Sequence, residues 1–324
     1  MSVYTDLADR ISRVYALDLA PHNESRAFVK IFRKLLAEDE AAKLLLLDKT
    51  LHTSEELAKQ AGLPLTEMAS TLQKAARQGV IYESFEGDEP AYRLMPFVPG
   101  ILEALVKVSS HADIAEYLSE YAREMSEYKQ NHGEVLIPMD QKIDIKIQSV
   151  PLTELMLYLN RTNRFALMDC VCRTVQAAMG RACGHSVKDM CILTGDYVDY
   201  YVSIGNAREV SREEVVEVLR KAEAEGLFHE MYPIENSQSL FICNCCTCGC
   251  MFMELSDRIR KVVVNENKII IDQNRCSGCG QCVSCCPQQV YEWDGKGKVS
   301  CTGSERCFQC GLCRMLCPTG SIVM

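Results

Sequence analysis

Two runs near the end of the chain, "CSGCGQCVSCCP" (276–287) and "CFQCGLCRMLCP" (307–318), carry the same cysteine spacing, C-x2-C-x2-C-x3-C-P. Cysteines at steps of three bring their thiols around one face of a compact inorganic group. A fourth cysteine held by proline is directed away from that face, towards a second group. A pair of zinc knuckles also uses C-x2-C, but zinc needs two such pairs and has no use for a repeated Cys-Pro step. The run therefore points to iron and sulfide.

The rest of the chain agrees with that chemistry. It holds 19 cysteines in 324 residues, and the start, "MSVYTDLADRISRVYALDLAPHN", lacks the basic and then apolar regions of a secretory signal. Apolar runs such as Leu44–Leu47 are far too short to span a bilayer. The expectation is a soluble, cytoplasmic protein, where so many thiols bind metal in preference to forming disulfides. An oxygen-poor host follows from that cofactor load. The net charge of −9 is uneven: 13 basic and 16 acidic residues in 1–110, 17 and 24 in 111–268, and 5 and 4 in 269–324. No segment has the basic surplus of a strong nucleic-acid binder.

The tail, 269–324, resembles the bacterial two-[4Fe–4S] ferredoxins over its whole length. Carried over position by position, the resemblance implies one cluster on Cys276, Cys279, Cys282 and Cys317, and another on Cys307, Cys310, Cys313 and Cys286. Gly278, Gly280 and Gly311 would let backbone amides approach the sulfurs. Cys285, beside Cys286, departs from the usual pattern, and Cys301 is surplus and reads as a small buried hydrophobe.

Nine cysteines remain: Cys170, Cys172, Cys183 and Cys191 in "DCVCRTVQAAMGRACGHSVKDMC", and Cys243, Cys245, Cys246, Cys248 and Cys250 in "FICNCCTCGC". Nine could serve two clusters with one to spare. Adjacent side chains diverge, so the economical arrangement has "CVCR" and "CNCCTCGC" converging from separate loops on one or two further clusters. A structural zinc site or a set of free thiols are the alternatives. Arg173 would place positive charge beside a cluster, if it is not simply a surface residue; His185 is either a non-cysteine ligand or a hydrogen-bonded loop residue.

Residues 26–110 read as a winged helix: a helix over Ser25–Glu38, a helix capped by Thr53 and Glu56 and closed at Gly62, and a helix on Met68, Leu72 and Ala75–Ala76. A two-stranded wing around Glu86–Pro90 follows. The would-be recognition helix offers only Lys74 and Arg77, so docking is the expected use and DNA binding is not. "KIDIKI" reads as a connector strand, "RFALMD" as a buried strand, and Pro151–Arg161 and Ser186–Ser203 as helical. Ser211 and Gly226 bound a further helix. The predicted architecture is α+β and multidomain: a winged-helix-like domain at 1–125, a cysteine-rich mixed α/β domain at 126–268, and a ferredoxin-like two-cluster domain at 269–324.

The whole pattern, with "C-x-C-R" and "ICNCC", resembles a broad group of 4Fe-4S binding proteins of anaerobes, although Gly249 stands where those relatives often continue the cysteine run. The resemblance implies single-electron transfer to a redox partner such as a flavoprotein. An electron carrier or oxidoreductase subunit is expected more than a stand-alone enzyme, since no Walker A, G-x-G-x-x-G or H-E-x-x-H motif is present. A cluster-dependent reductase and a redox-sensing regulator are the alternative readings.

Overall fold

A computed structural model describes residues 2–15, 22–85, 87–108, 111–132, 148–150, 152–233, 239–251, 269–286, 288–295, 297–307 and 310–323. The connector strand expected in "KIDIKI" and the wing-tip residue Glu86 lie outside the described residues.

The N-terminal part is helical, with α1 (Val3–Val14), α2 (Ala27–Leu35) and α3 (Glu38–Leu44). The single helix expected over Ser25–Glu38 is thus split: Leu36 is extended (φ −122°), and the Ala37 amide donates to the Glu40 carboxylate to start α3. After β1 (His52–Thr53), Thr53 and Glu56 cap α4 (Ser54–Ala61) reciprocally, and Gly62 ends it in the left-handed region. The helix α5 (Leu65–Arg77) buries Met68, Leu72, Ala75 and Ala76. It leads to β2 (Ile81–Ser84) and β3 (Ala91–Leu94), which form an antiparallel sheet in the order β1-β3-β2. The short α6 (Leu102–Ala104) and the long α7 (Ala112–His132) complete this part.

The middle of the chain is built on one six-stranded sheet. Its strands are β4 (Gln148–Val150), β5 (Phe165–Met168), β6 (Cys191–Thr194), β7 (Ala207–Val210), β8 (Phe228–Pro233) and β9 (Leu240–Cys245), in the order β4-β8-β9-β6-β5-β7, every pair antiparallel. The helices are α8 (Leu152–Leu159), α9 (Val171–Ala178), α10 (Tyr197–Ser203) and α11 (Arg212–Ala224), the last capped by Ser211. The helical reading of Ser186–Ser203 is corrected here. "CILT" is a fully buried strand between β9 and β5, and Gly195 (φ +69°) packs so closely on Ser239 that a Cβ would stand 2.5 Å from its hydroxyl. Only the Tyr197–Tyr200–Tyr201 stripe has helical spacing, and it forms α10.

Alternation along the strands divides the core between two faces. Phe165, Leu167, Ile192 and Ile242 pack with Leu155, Val215 and Leu219 from α8 and α11. Ala166, Met168, Cys191, Leu193 and Phe241 face the other way and join one continuous core with the N-terminal helices. That junction is tight: Arg93 lies 4.7 Å over the Tyr82 ring and donates to the Tyr197 hydroxyl at 2.5 Å, while the Tyr200 hydroxyl donates to the Ala76 and Ile81 carbonyls. The tail has its own small core of Val290, Tyr291, Val299, Cys313 and Ile322. Around it lie two two-stranded ladders and the short helices Gln281–Cys285 and Leu312–Met315. The molecule is a mixed helix-and-sheet α+β structure. Among the described residues no helix is long and apolar enough to cross a membrane.

Candidate metal centres

In the tail, Cys276, Cys279, Cys282 and Cys317 line one pocket together with Ile271, Val299 and Ile322. The loop wraps because Gly278 and Gly280 adopt φ +68° and +71°, which only glycine takes without strain. Gly278 passes so close to Gly297 that a Cβ there would stand 2.3 Å from its Cα. Burial raises the Cys317 thiol, but hydrogen bonds from Ser321 and Thr319 outweigh it and bring the pKa down to about 6. Cys310 and Cys313 lie close enough to Cys286 and Cys307 to feel their charge, which brings the other four tail cysteines together. Burial pushes Cys313 up to about 11, against the hydrogen bond that the Tyr291 hydroxyl donates to its sulfur at 3.0 Å. Gly311 (φ +77°) turns the chain into the second short helix. Cys301 is half-buried in the tail core. These donor sets suit iron–sulfide cubanes: all-thiol, half-buried, paired and lined by apolar side chains.

The nine middle cysteines separate into two groups. Six close a ring of thiol–thiol contacts: Cys170 with Cys172 and Cys191, Cys191 with Cys243, Cys243 with Cys245, and Cys250 with both Cys245 and Cys172. Cys170 and Cys172 leave the end of β5 and enter α9. Cys191 opens β6, with Met168 opposite it on one side and Cys243 opposite it on the other. Cys243 and Cys245 are two apart on β9 and so share a face. Neighbouring thiols hold Cys170 below the usual range and Cys243 down to about 6, while Cys172, Cys191 and Cys245 are pushed up by the same contacts. Six crowded thiols cannot all ionise in a dry interior without cationic charge among them, so the ring is suited to a metal cluster.

The remaining three, Cys183, Cys246 and Cys248, form a second group whose sulfurs all lie within 4.8 Å of one another; among the described residues no other His, Cys, Asp or Glu trio meets that limit. Cys246 follows Cys245 just past the end of β9 and stands with Cys183 and Cys248. Arg173 is 2% exposed, which excludes a surface arginine; it donates to the carbonyls of Ser186 and Asn244 and contacts Cys246. His185 lies beside Glu225, outside the thiol trio.

Several site residues had no sequence signal. Glu103 is buried, accepts a hydrogen bond from the Gly100 amide at 2.6 Å and is raised to about 8 by burial, with Cys243 and Cys170 adding to the shift. Glu230 accepts from Cys245 Sγ at 3.5 Å and from the Tyr232 hydroxyl at 2.6 Å. Isolated acids of this kind have no spacing to betray them.

Comparison with known proteins locates a 4Fe-4S dicluster domain at residues 275–321. An uncharacterised ferredoxin of Methanocaldococcus jannaschii is 39% identical over 56 residues, covering 17% of this chain and 89% of that protein. A second from the same organism is 37% identical over 59 residues, 18% of this chain and 77% of its own length. A ferredoxin of Thermococcus litoralis is 38% identical over 58 residues, 18% and 97%. These similarities cover the tail alone, and no solved structure matches the chain.

Proposed function

Because the chain belongs, through its C-terminal domain, to the 4Fe-4S dicluster ferredoxins, we propose that it relays single electrons between protein partners through the tail and a further cluster site in the six-thiol ring. [4Fe–4S] clusters supply one-electron chemistry when bound; the chain supplies their ligands, spacing and insulation. The assignment of Cys276, Cys279, Cys282 and Cys317 to one cluster, and of Cys286, Cys307, Cys310 and Cys313 to the other, is part of this reading.

One observation carries the link between the regions. Phe228 and Leu312 pack together with Cys245 of the ring, Cys310 of the tail and the extra thiol Cys285. A ring ligand and a tail ligand thus touch the same apolar contact, from which water is excluded. Cys285, a departure from the ferredoxin pattern, belongs to this junction.

In the same reading the N-terminal module is a winged helix used as a scaffold or docking element. Of the two cations on α5, Lys74 pairs with Glu40 at 2.6 Å while Arg77 is exposed; Lys43 of α3 pairs with Glu67 at 2.9 Å. The C-terminal end of α5 is held by Tyr200, which leaves little for phosphate contacts. A reductase acting at the ring is the second reading, favoured by six thiols where a cubane needs four. A flavoprotein is one suitable redox partner.

The test is iron and acid-labile sulfide per chain on anaerobically purified protein. About twelve irons support the relay with one middle cluster, and about eight would confine iron to the tail and remove the ring from the path.

A further inference from the structure

The trio Cys183, Cys246 and Cys248 differs from the ring in size. Cys183 Sγ lies 3.9 Å from Cys246 Sγ, and all three sulfurs are within 4.8 Å of one another. A tetrahedral ion with metal–sulfur bonds of about 2.3 Å holds its thiolates roughly 3.8 Å apart. Thiolates on separate irons of a cubane must stand wider than that, because each is carried by its own metal. No three ring sulfurs come as close together as the trio does.

We propose that Cys183, Cys246 and Cys248 form a mononuclear site for zinc, separate from the iron-binding positions, with its fourth coordination place open on the exposed side next to Cys248. Soft thiolate donors select such an ion, and three protein ligands leave one place for water or an exogenous ligand.

Two independent observations support the site. Arg173 is a buried cation that donates to two neutral carbonyls, has an Nε without a partner, and lies between the trio, where it contacts Cys246, and the ring thiols Cys170 and Cys191. A buried charge of this kind needs a counter-charge, and three thiolates on one divalent ion carry a net −1 beside it. The second observation is Gly249. A Cβ at that position would stand 2.9 Å from Cys183 Sγ, 2.9 Å from Arg173 Cγ and 3.1 Å from Cys246 Sγ. The turn can close over the trio only because residue 249 has no side chain, so the interrupted cysteine run is what makes room for the site.

The inference goes beyond the electron-relay reading and can survive its failure. Zinc and iron would be quantified on the holoprotein purified without oxygen, and its zinc coordination measured by X-ray absorption. The expected result is one zinc per chain with three sulfurs at about 2.3 Å and one lighter neighbour at about 2.0–2.1 Å. Cys183→Ser and Cys248→Ser should lose the zinc and keep the iron, while Cys243→Ser should keep the zinc whether or not it loses iron. Cys248 is exposed, so its replacement tests the site without disturbing the core. Loss of iron from Cys183→Ser, or a protein free of zinc after exposure to equimolar Zn²⁺, would overturn the proposal. If the protein held about eight irons and one zinc, the middle relay would fail and the zinc site would stand.

Discussion

The tail and the middle of the chain both gather cysteines, but by opposite means. In the tail, three cysteines of each proposed ligand set lie within seven residues, at steps of three, and glycines at φ +68° to +77° bend the loop around them. In the middle, the ring draws on residues 80 positions apart, joined by strand register: Cys191 opposite Cys243, and Cys170 just past the Met168–Cys191 pair. A loop motif carries its site with it wherever it is placed. A register-built site exists only when the sheet is correctly formed, so its assembly is tied to folding of the whole N-terminal and middle core.

The largest expected effect tests the local side of that contrast. Gly278→Ala would put a methyl 2.3 Å from Gly297 Cα and 2.4 Å from its carbonyl oxygen, at φ +68°. Backbone cannot yield as a flexible side chain can, so the loss should be several kcal/mol, beyond the 1–3 kcal/mol typical of local strain. Iron analysis should show the tail site of Cys276, Cys279, Cys282 and Cys317 emptied, with middle metal retained. Loss of all metal would mean that the regions fold as one unit.

The converse substitution, Cys243→Ser, removes the ring member that joins Cys191 to Cys245. Its expected outcome is loss of the middle iron, about four atoms per chain, with tail spectra unchanged. Paramagnetic resonance of the reduced protein would resolve this. If the tail signals vanished as well, the ring and the tail could not be treated as separate sites.

The same contrast explains what could be read from the sequence. The dicluster domain of the tail was legible because its cysteine spacing is written in consecutive residues. The cap of Thr53 and Glu56 and the Ser211 cap were legible for the same reason. The middle cysteines were visible as a pool, but their division into six and three was not. It depends on Cys191 sitting in a strand, and "CILT" in isolation gives no period to distinguish strand from helix. Once β9 is known, alternation places Cys243 and Cys245 on one face. Glu103 lies about 70 residues before the first ring cysteine and reaches the ring only through the shared core.

Glu103 gives a smaller effect that belongs to the middle region alone. Burial raises its folded pKa to about 8 from 4.5, so the folded protein keeps a proton that the unfolded chain has released. Its contribution is fully present below about pH 4.5 and is lost as pH rises through about 8. Glu103→Gln should retain an acceptor for the Gly100 amide and flatten that dependence. The gain should be on the order of a few kcal/mol at pH 8 and above, and little at pH 5. Denaturant titrations of both proteins at the two pH values would measure it. An equal effect at both would show that the carboxyl is not the titrating group.

The smallest effect sharpens the contrast at the level of a single sulfur. In the ring, Cys245 donates to Glu230 and Cys170 accepts from the Arg173 amide, whereas in the tail the Tyr291 hydroxyl donates to Cys313 Sγ at 3.0 Å. A hydrogen bond to a ligand sulfur favours the more negative, reduced state of whatever that sulfur binds. Tyr291→Phe keeps the ring packed beneath Val290 and Val299 and removes only the donor. At about 1 kcal/mol for the bond, one tail potential should fall by roughly 40 mV, a one-electron conversion from about 59 mV per tenfold change. A redox titration would show one component displaced and the others fixed. An unchanged set of potentials would mean that Cys313 does not ligate a redox-active group, and the position-by-position assignment of the second tail cluster would have to be withdrawn.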